Sequence, residues 1–379
     1  MDPISVLEKL IKFPTYQVAP DKVALGMKDC ALYLSECLDQ NGFEVDIDKL
    51  HNVTAIKEFD GKRTFLINTH FDTVAPAEGW EDALNPKVKG DRLYGLGASD
   101  AKGGIAAILH SLSLLKECQF AELIVQFVNY EDNAINYRGT RWLGMPYFLS
   151  KNPTFTADYG INVEPSIEGD AFSVGVGCTG RLAFNIRTIG KEAHSSTPNE
   201  GKNAIYDMAK VIEVLRQIPH GKYTIGGLEL EMPINIAKIE GGRAINIVPE
   251  ECKIACERRL FPGENSERIE KRIRSALKKV KEARIESSFR RPVQLPYAIN
   301  DNEEIVSLVK NSILETLGYP PQIRIKLGRT DSTYLYHKAG IKTVIVGPGH
   351  TGHIKNEHIN INRLLEFTRI LKNLLQTRE

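Results

Sequence analysis

The stretch TFLINTHFD, residues 64–72, decides the fold class, because a buried-strand pattern runs directly into a histidine and an aspartate. Two similar runs follow, LIVQFVNY at 123–130 and YGINV at 159–163. Nearly continuous apolar runs are typical of parallel strands that are covered on both faces. Helical patterns at 23–42 and 103–116 alternate with these strands. The sequence therefore predicts an α/β fold with a mixed, mainly parallel sheet flanked by helices.

The pattern changes near residue 178, where alternating, half-exposed strands replace the buried ones. The predicted elements after this point are, in order, a strand at 181–189, a helix at 202–217, strands at 228–240 and 245–261, a charged helix at 265–283 and a strand at 284–290. This β-α-β-β-α-β order predicts a ferredoxin-like α+β insert. A helix at 303–317 and a strand at 343–346 then restore the α/β pattern. We therefore predict one discontinuous domain, 1–177 with 293–379, interrupted by an inserted domain at 178–292.

The composition argues against several classes of protein. The chain has 379 residues, with 49 Lys and Arg against 48 Asp and Glu, and a net charge of +1 does not fit a dedicated nucleic-acid binder. No apolar run approaches the roughly 18 residues that span a bilayer, so we expect no membrane partner. The first residues lack the pattern of a secretory signal, and the six cysteines form no CxxC motif. We therefore expect free thiols in the reducing cytoplasm.

Residues that can bind a metal ion follow the predicted strands at five separate positions. They are His70 with Asp72, Asp100, the pair Glu131 and Asp132, Glu164, and His353. In open α/β sheets, ligands bind beyond the carboxyl ends of the strands. A single position of this kind has an ordinary explanation: His70 and Asp72 fit a surface loop, and Asp100 fits the cap of the following helix. Five together predict one shared divalent-cation site with nitrogen and oxygen ligands, and hence a metal-dependent hydrolase.

Seven segments extend these motifs over nearly the whole chain. They are NTHFDTV (68–74), GLGASDAKGG (95–104), INVEPS (161–166), GKEAHSSTPNEGKNA (190–204), IEGGRAINIVPEEC (239–252), GRTDSTYL (328–335) and GPGHTGHIKNEH (347–358). In this order they resemble the dinuclear-zinc deacylases and exopeptidases, a family that includes acetylornithine deacetylase, succinyl-diaminopimelate desuccinylase, aminoacylase and glutamate carboxypeptidase. The resemblance implies a catalytic domain interrupted by a lid or dimerisation domain, which agrees with the domain division predicted above.

The resemblance also implies two bound divalent ions and a role for each strand-end residue. The implied ligands are His70 and Glu164 for one zinc ion, Asp132 and His353 for the other, and Asp100 between them. Asp72 would orient His70. Glu131 would be the general base that deprotonates a water bridging the two ions. Zinc is the first expectation, and cobalt and manganese also suit such ligands.

One motif departs from the pattern of the family. Relatives usually carry Asp-Glu-Glu, whereas this chain has Tyr130, Glu131 and Asp132. The side chain of the implied ligand is therefore one methylene shorter. Aspartate still binds oxygen-preferring cations, so we expect activity, with the second ion held more weakly.

Four residues outside the strand ends gain a role from the resemblance. His194 would reach the active site of a neighbouring subunit in a homodimer and help to form the oxyanion hole. Asn246, Arg259 and Arg329 would bind a substrate carboxylate. From the residues alone, His194 fits an ordinary loop histidine. Arg259 fits a solvated arginine, because Arg258 stands beside it and only one of the two faces the site.

These observations predict an N-acyl-amino-acid amidohydrolase of the acetylornithine deacetylase or succinyl-diaminopimelate desuccinylase type. The alternative within enzymes is a metallo-exopeptidase that cleaves dipeptides or a C-terminal residue with the same metal chemistry. A non-catalytic binding protein on the same scaffold is a third hypothesis. The retained ligands and Glu131 argue against it, because idle buried acids are costly. The expected partner is a small N-acyl amino acid or a short peptide.

Overall fold

The computed structural model describes residues 1–16, 26–130, 144–225, 228–350 and 352–376. By their internal contacts the residues form a first unit, Met1–Gly177 with Ala298–Glu379, and a second unit, Cys178–Tyr297. The second unit thus ends at Tyr297, later than the predicted end of the insert at 292. Within the described ranges, no helix combines the length and the apolar character that crossing a membrane requires.

Helices and strands alternate along most of the chain. The helices are α1 (Pro3–Ile11), α2 (Met27–Asp39), α3 (Lys102–Ser113), α4 (Gly144–Lys151), α5 (Ala204–Arg216), α6 (Ser266–Leu277), α7 (Glu304–Leu317), α8 (Ser332–Ala339) and α9 (Ile361–Leu375). The strands are β1 (Glu44–Ile47), β2 (Val53–Glu58), β3 (Thr64–His70), β4 (Lys87–Lys89), β5 (Arg92–Tyr94), β6 (Glu122–Val128), β7 (Tyr159–Asn162), β8 (Ile167–Glu168), β9 (Ala171–Cys178), β10 (Gly180–Ile189), β11 (Gly221–Ile225), β12 (Leu228–Met232), β13 (Asn235–Gly241), β14 (Glu251–Leu260), β15 (Arg284–Phe289), β16 (Tyr297–Ala298), β17 (Gln322–Lys326), β18 (Lys342–Ile345) and β19 (His358–Asn360).

The first unit is built around a mixed sheet whose strands run in the order β1-β2-β6-β3-β7-β18-β9. The centre of this sheet, β6-β3-β7-β18, is parallel. The strands on either side of the centre pair antiparallel. Parallel strands share one carboxyl end, so the loops after β3, β7 and β18 leave the sheet at the same edge. The predicted α/β fold class is confirmed.

Strand β3 is buried on both faces, as its apolar run predicted. Leu66 packs in one cluster with Phe148 of α4 and Leu335 of α8. The preceding residue, Phe65, stacks on Phe120, with the ring centroids 4.3 Å apart. Successive strand residues point to opposite faces, so these contacts cover both sides of the strand. The position of the strand end, and of the histidine on it, is therefore fixed by packing.

The second unit contains a four-stranded antiparallel sheet in the order β13-β14-β10-β15. Phe184 and Ile186 of β10 pack in one cluster with Met208 of α5 and Ile273 of α6. The chain order β10-α5-β13-β14-α6-β15 is the predicted ferredoxin-like order. The single strand predicted at 228–240 is two strands, β12 and β13, and β12 forms a hairpin with β11 that lies between α5 and β13 in the chain. The strand predicted at 245–261 begins only at Glu251, because the residues before it form a loop, which is exposed at 242–246.

All six cysteines are free thiols, and all six are buried. Burial raises the pKa of Cys30 and that of Cys256 to about 12. A solvated cysteine has a pKa of roughly 8.5, and the thiolate is the reactive form. These two thiols are therefore both sterically shielded and protonated near neutral pH.

We expect the native chain to react slowly with a colorimetric thiol reagent at pH 8, because a raised thiol pKa leaves little thiolate at that pH. Titration of the native protein is expected to find no thiol that reacts at the rate of free cysteine. After denaturation in guanidinium, all six are expected to react. A fast-reacting thiol in the native protein would contradict the burial described here for that residue.

Candidate active site

His70, Asp100 and Glu164 meet at the carboxyl edge of the central sheet. His70 is the last residue of β3, Asp100 precedes α3, and Glu164 follows β7. Among the described residues, these three offer metal-ligand atoms that all lie within 4.8 Å of one another. The Nε2 atom of His70 lies 3.2 Å from Asp100 Oδ1 and 3.7 Å from Glu164 Oε1. The sheet therefore brings together three residues that are separated by about 30 and 60 positions in the chain.

The imidazole of His70 is oriented by the backbone of Asp72. Its Nδ1 lies 3.0 Å from the Asp72 carbonyl oxygen, which only accepts hydrogen bonds, so Nδ1 carries a proton and donates it. The carboxylate of Asp72 lies farther from Nδ1, at 3.5 Å. The other ring nitrogen, Nε2, faces two carboxylates and needs either a second proton or a cation beside it. A histidine that binds a metal ion has this same arrangement.

The two carboxylate oxygens of Glu164 have different surroundings. The side chain is 3% exposed, and Oε2 accepts a hydrogen bond of 3.2 Å from Lys326 Nζ. The buried Oε1 has no hydrogen-bond partner in the part of the chain that the structure describes. A buried anionic oxygen without a donor is costly, and a cation would satisfy it. This oxygen is the clearest indication that the residues present fit a metal ion.

Asp100 presents one oxygen to each of two histidines. Its Oδ1 faces His70, and its Oδ2 lies 3.5 Å from Nε2 of His353, whose side chain is mostly exposed. Burial alone would raise the pKa of Asp100, but the hydrogen bond with His70 and the charge on that ring outweigh it, and the pKa falls to about 2. Asp100 is therefore ionised at neutral pH, and its position between the histidines suits a bridging ligand.

Glu357 fixes the turn that carries Asp100. Its buried Oε1 accepts hydrogen bonds from the backbone N–H groups of Ser99 and Asp100, at 2.9 and 3.0 Å. Burial, together with the nearby charge of Asp100, raises the pKa of Glu357 to about 7. Glu357 lies in the segment 347–358 that carries the resemblance, but no role was predicted for it. An acidic residue four positions after the predicted ligand His353 is the sequence feature that could have indicated a role for Glu357.

Two further residues near the site were also missed. Lys326 contacts Glu164, as described above. Asp331 is buried, and this burial raises its pKa to about 8, with the charges of Glu164 and Asp72 acting in the same direction. The charges of His70 and Arg329 partly offset this rise. Arg329, predicted to bind substrate, is only 7% exposed.

The predicted base Glu131 and the predicted ligand Asp132 lie outside the described residues. Their roles therefore stay predictions from the sequence.

His194 and Asn246 are neighbours in the second unit. The N–H of Ser195 donates to the Asn246 carbonyl at 3.0 Å, and His194 pairs with Ile247 in an isolated β-bridge. Nδ1 of His194 lies 2.8 Å from the hydroxyl oxygen of Ser196 and accepts a hydrogen bond from the Ser196 N–H at 3.2 Å. A backbone N–H can only donate, so Nδ1 is the acceptor and the proton of the neutral ring sits on Nε2. His194 is exposed, and its Nε2–H is a potential donor to a ligand.

Arg258 and Arg259 are adjacent on strand β14, so their side chains point to opposite faces of the sheet. Arg258 is buried and donates two hydrogen bonds to the Glu264 carboxylate, at 2.9 and 2.7 Å. Arg259 is one-third exposed, and its Nε lies 2.9 Å from Glu257 Oε1. Of the two, Arg259 is therefore the one that can still turn toward a ligand.

Comparison with known proteins shows which family the chain is similar to. A family model described as peptidase family M20/M25/M40 matches residues 66–377. A succinyl-diaminopimelate desuccinylase of Nautilia profundicola is 26% identical over 387 residues, which cover 99% of each chain. An acetylornithine deacetylase of Buchnera aphidicola is 26% identical and aligns with 98% of this chain and 97% of its own.

Solved structures share the fold over the full length of the chain. A tripeptidase from Staphylococcus aureus matches with a TM-score of 0.80 at 24% identity, covering 99% of this chain and 97% of its own. A metallo-carboxypeptidase from Sulfolobus solfataricus matches with a TM-score of 0.79 at 19% identity, covering 99% of this chain and 98% of its own. At these identities the likeness shows the fold alone.

We expect His70→Ala and Glu164→Ala to lower the number of divalent ions that the chain retains after dialysis, because each removes one of three clustered ligand atoms. The measurement is elemental analysis of the purified protein, with circular dichroism to check folding. His110→Ala, on α3 in the same unit, is the matched control and is expected to keep the ion content of the wild type. Wild-type ion content in both site variants would rule out this cluster as the metal site.

Proposed function

We propose that this chain, which belongs to peptidase family M20/M25/M40 and is a metal-dependent amide hydrolase, removes the acyl group from an N-acyl amino acid. The observation that carries the proposal is the group of His70, Asp100 and Glu164, in which Glu164 Oε1 is buried and lacks a hydrogen bond within the described residues. The desuccinylase and deacetylase relatives, which align over nearly all of the chain, support this class of substrate.

Two divalent ions, with zinc as the first candidate, are the proposed cofactors. His70 and Glu164 would hold one ion, His353 and Asp132 the other, and Asp100 would touch both. The two oxygens of Asp100, each directed at a different histidine, support this assignment. Bound divalent ions would act as Lewis acids toward the scissile carbonyl and would make water a stronger acid.

The remaining chemistry belongs to side chains of the protein. Glu131 would take a proton from the attacking water and deliver it to the leaving nitrogen, as carboxylate general bases do. His194 would donate its Nε2–H to the carbonyl oxygen as negative charge develops there. The contact of His194 Nδ1 with the Ser196 N–H supports this role, because it leaves the proton on Nε2. Asp72 would keep His70 in the tautomer that presents Nε2.

Asn246, Arg259 and Arg329 are the proposed contacts of the substrate carboxylate. An arginine can bind a carboxylate through two parallel charge-assisted hydrogen bonds, which fixes orientation as well as charge. The availability of Arg259, in contrast to the buried Arg258, supports its part in this assignment.

A homodimer is proposed through the second unit. Ile239 lies on β13, which is an edge strand of the antiparallel sheet, and its side chain is exposed. Tyr206 on α5 is 71% exposed, and Ile245 is fully exposed. Exposed apolar residues beside a sheet edge are typical of association surfaces.

A cytoplasmic location is also proposed. The six free cysteines support it, because free thiols persist in a reducing compartment.

A substrate panel tests the proposed class. The metal-loaded enzyme would be assayed on N-acetyl and N-succinyl amino acids, on dipeptides, and on the carboxamide of each acyl amino acid. We expect acyl amino acids to be the best substrates and their carboxamides to show a kcat/KM roughly 10–100-fold lower, because a hydrogen bond to a charged group contributes roughly 1.5–3 kcal/mol. Cleavage of dipeptides alone would establish the metallo-exopeptidase alternative, and equal rates for acid and carboxamide would refute the carboxylate contact.

Mixed dimers test the role of His194. Glu131→Gln removes the proposed base and His194→Ala the proposed donor, so each variant alone is expected to lose roughly 10²-fold or more in kcat. When the two variants exchange subunits, some dimers would combine an intact base with an intact donor, and activity is expected to rise above that of either variant. Glu131→Gln mixed with itself is the control. A monomer by light scattering, or no recovery under exchanging conditions, would overturn the role across subunits.

A further inference from the structure

Lys326 ends strand β17 and reaches the candidate metal ligand Glu164. Its Nζ donates to Glu164 Oε2 at 3.2 Å and to the carbonyl oxygen of Pro165 at 3.2 Å. The Lys326 side chain is 22% exposed, whereas that of Glu164 is 3% exposed. The contact therefore lies at the boundary between the buried carboxylate and the solvent, and 162 positions separate the two residues in the chain.

The contact makes the two oxygens of Glu164 unequal. Lys326 holds Oε2, whereas the described residues offer Oε1 no hydrogen-bond donor. Oε1 lies 3.7 Å from His70 Nε2, the ring nitrogen that also faces Asp100. Oε1 thus faces His70 and Asp100, whereas Oε2 is hydrogen-bonded to Lys326 at the end of β17.

A carboxylate without such a tie can rotate and offer either oxygen, or both, to a cation. The ammonium of Lys326 cannot follow that rotation, because its bond to the Pro165 carbonyl fixes its position. A lysine has three N–H donors, so both bonds form at once. Hydrogen bonds to a ligating carboxylate orient it and tune its affinity for the ion.

We propose that Lys326 is a positioning residue that leaves a single oxygen of Glu164, Oε1, available to a divalent ion. This inference rests on the proposed function, because it takes Glu164 as a ligand. Lys326 acts through its hydrogen bond to Glu164. Substitution of Lys326 therefore changes which oxygens of Glu164 can bind the ion, in addition to any effect on the stability of the fold.

The test compares substitutions of Lys326 in the full-length chain. Lys326→Met removes the charge and the donors at similar length, and Lys326→Arg retains both. Lys342→Met is the matched control, because Lys342 in the same unit makes an ion pair of 2.7 Å with Glu303 outside the site. Two readouts do not depend on turnover: the Kd for Co²⁺ by competition with a chromophoric chelator, and the visible absorption per bound Co²⁺, which reports coordination geometry.

We expect Lys326→Met to weaken Co²⁺ binding roughly 10–100-fold, the usual effect of losing a hydrogen bond to a ligand. Its Co²⁺ absorption is expected to lose intensity, because the released Glu164 can add a second oxygen to the ion. Lys326→Arg is expected to recover most of the affinity, and Lys342→Met to match the wild type in both readouts. If Lys326→Met does not fold by circular dichroism, Lys326→Gln replaces it with the same expectation.

An affinity and spectrum equal to those of Lys342→Met would leave Lys326 a purely structural ion pair and overturn the proposal. Tighter binding in Lys326→Met would also overturn it, since repulsion by the ammonium would then outweigh the orientation of Glu164. An equal loss in the Met and Arg variants would count against it as well. If the wild type binds no divalent ion, the proposed function itself fails. If the wild type binds ions and hydrolyses its substrate while Lys326→Met binds normally, only the role of Lys326 fails.

Discussion

Two carboxylates, one buried and one partly buried, face one nitrogen of one imidazole, and this concentration of negative charge is the constraint around which the first unit is organised. Asp100 and Glu164 approach His70 Nε2 from two different loops. Such groups repel one another at short range unless a cation or a proton lies between them. The chain holds them together with the parallel centre of the sheet, whose packed strands fix where each loop begins. The packing of the core therefore fixes the positions of the site residues, and the negative charge of the two carboxylates favours the binding of a cation.

A second set of groups holds the acidic residues in place. Glu357 receives two backbone N–H groups at the Asp100 turn, and Lys326 ties one oxygen of Glu164. The backbone of Asp72 fixes the tautomer of His70. Each of these contacts restricts the freedom of one residue in the cluster. An orienting contact of this kind is what separates a set of acids that happen to be near one another from a site that can bind an ion selectively.

The second unit is stabilised by a separate hydrophobic core. Its antiparallel sheet covers one face with α5 and α6 and leaves polar residues on the other, so it needs no partner to form a core. Arg258 is committed to Glu264 within this unit, whereas Arg259 and the Nε2–H of His194 remain available. The difference between the adjacent arginines follows from the strand period of two, because the side chain of Arg258 points to the core and that of Arg259 points outward.

The sequence by itself determined the fold class, the ferredoxin-like order of the insert and the strand-end positions of His70 and Glu164, whereas Asp100 lies in the turn before α3. These features are local, because apolar periodicity and the residue after a strand can be read within a short window. The sequence did not indicate Lys326, Asp331 or Glu357, although Asp331 and Glu357 lie in the segments 328–335 and 347–358 that carry the resemblance. The contacts of Lys326 and Glu357 join residues that are 162 and 257 positions apart, and only the strand order of the folded sheet decides which loops meet. The tertiary structure therefore decided which oxygen of Glu164 is held and which is left for an ion, because that choice depends on a strand that reaches the site from the far end of the chain.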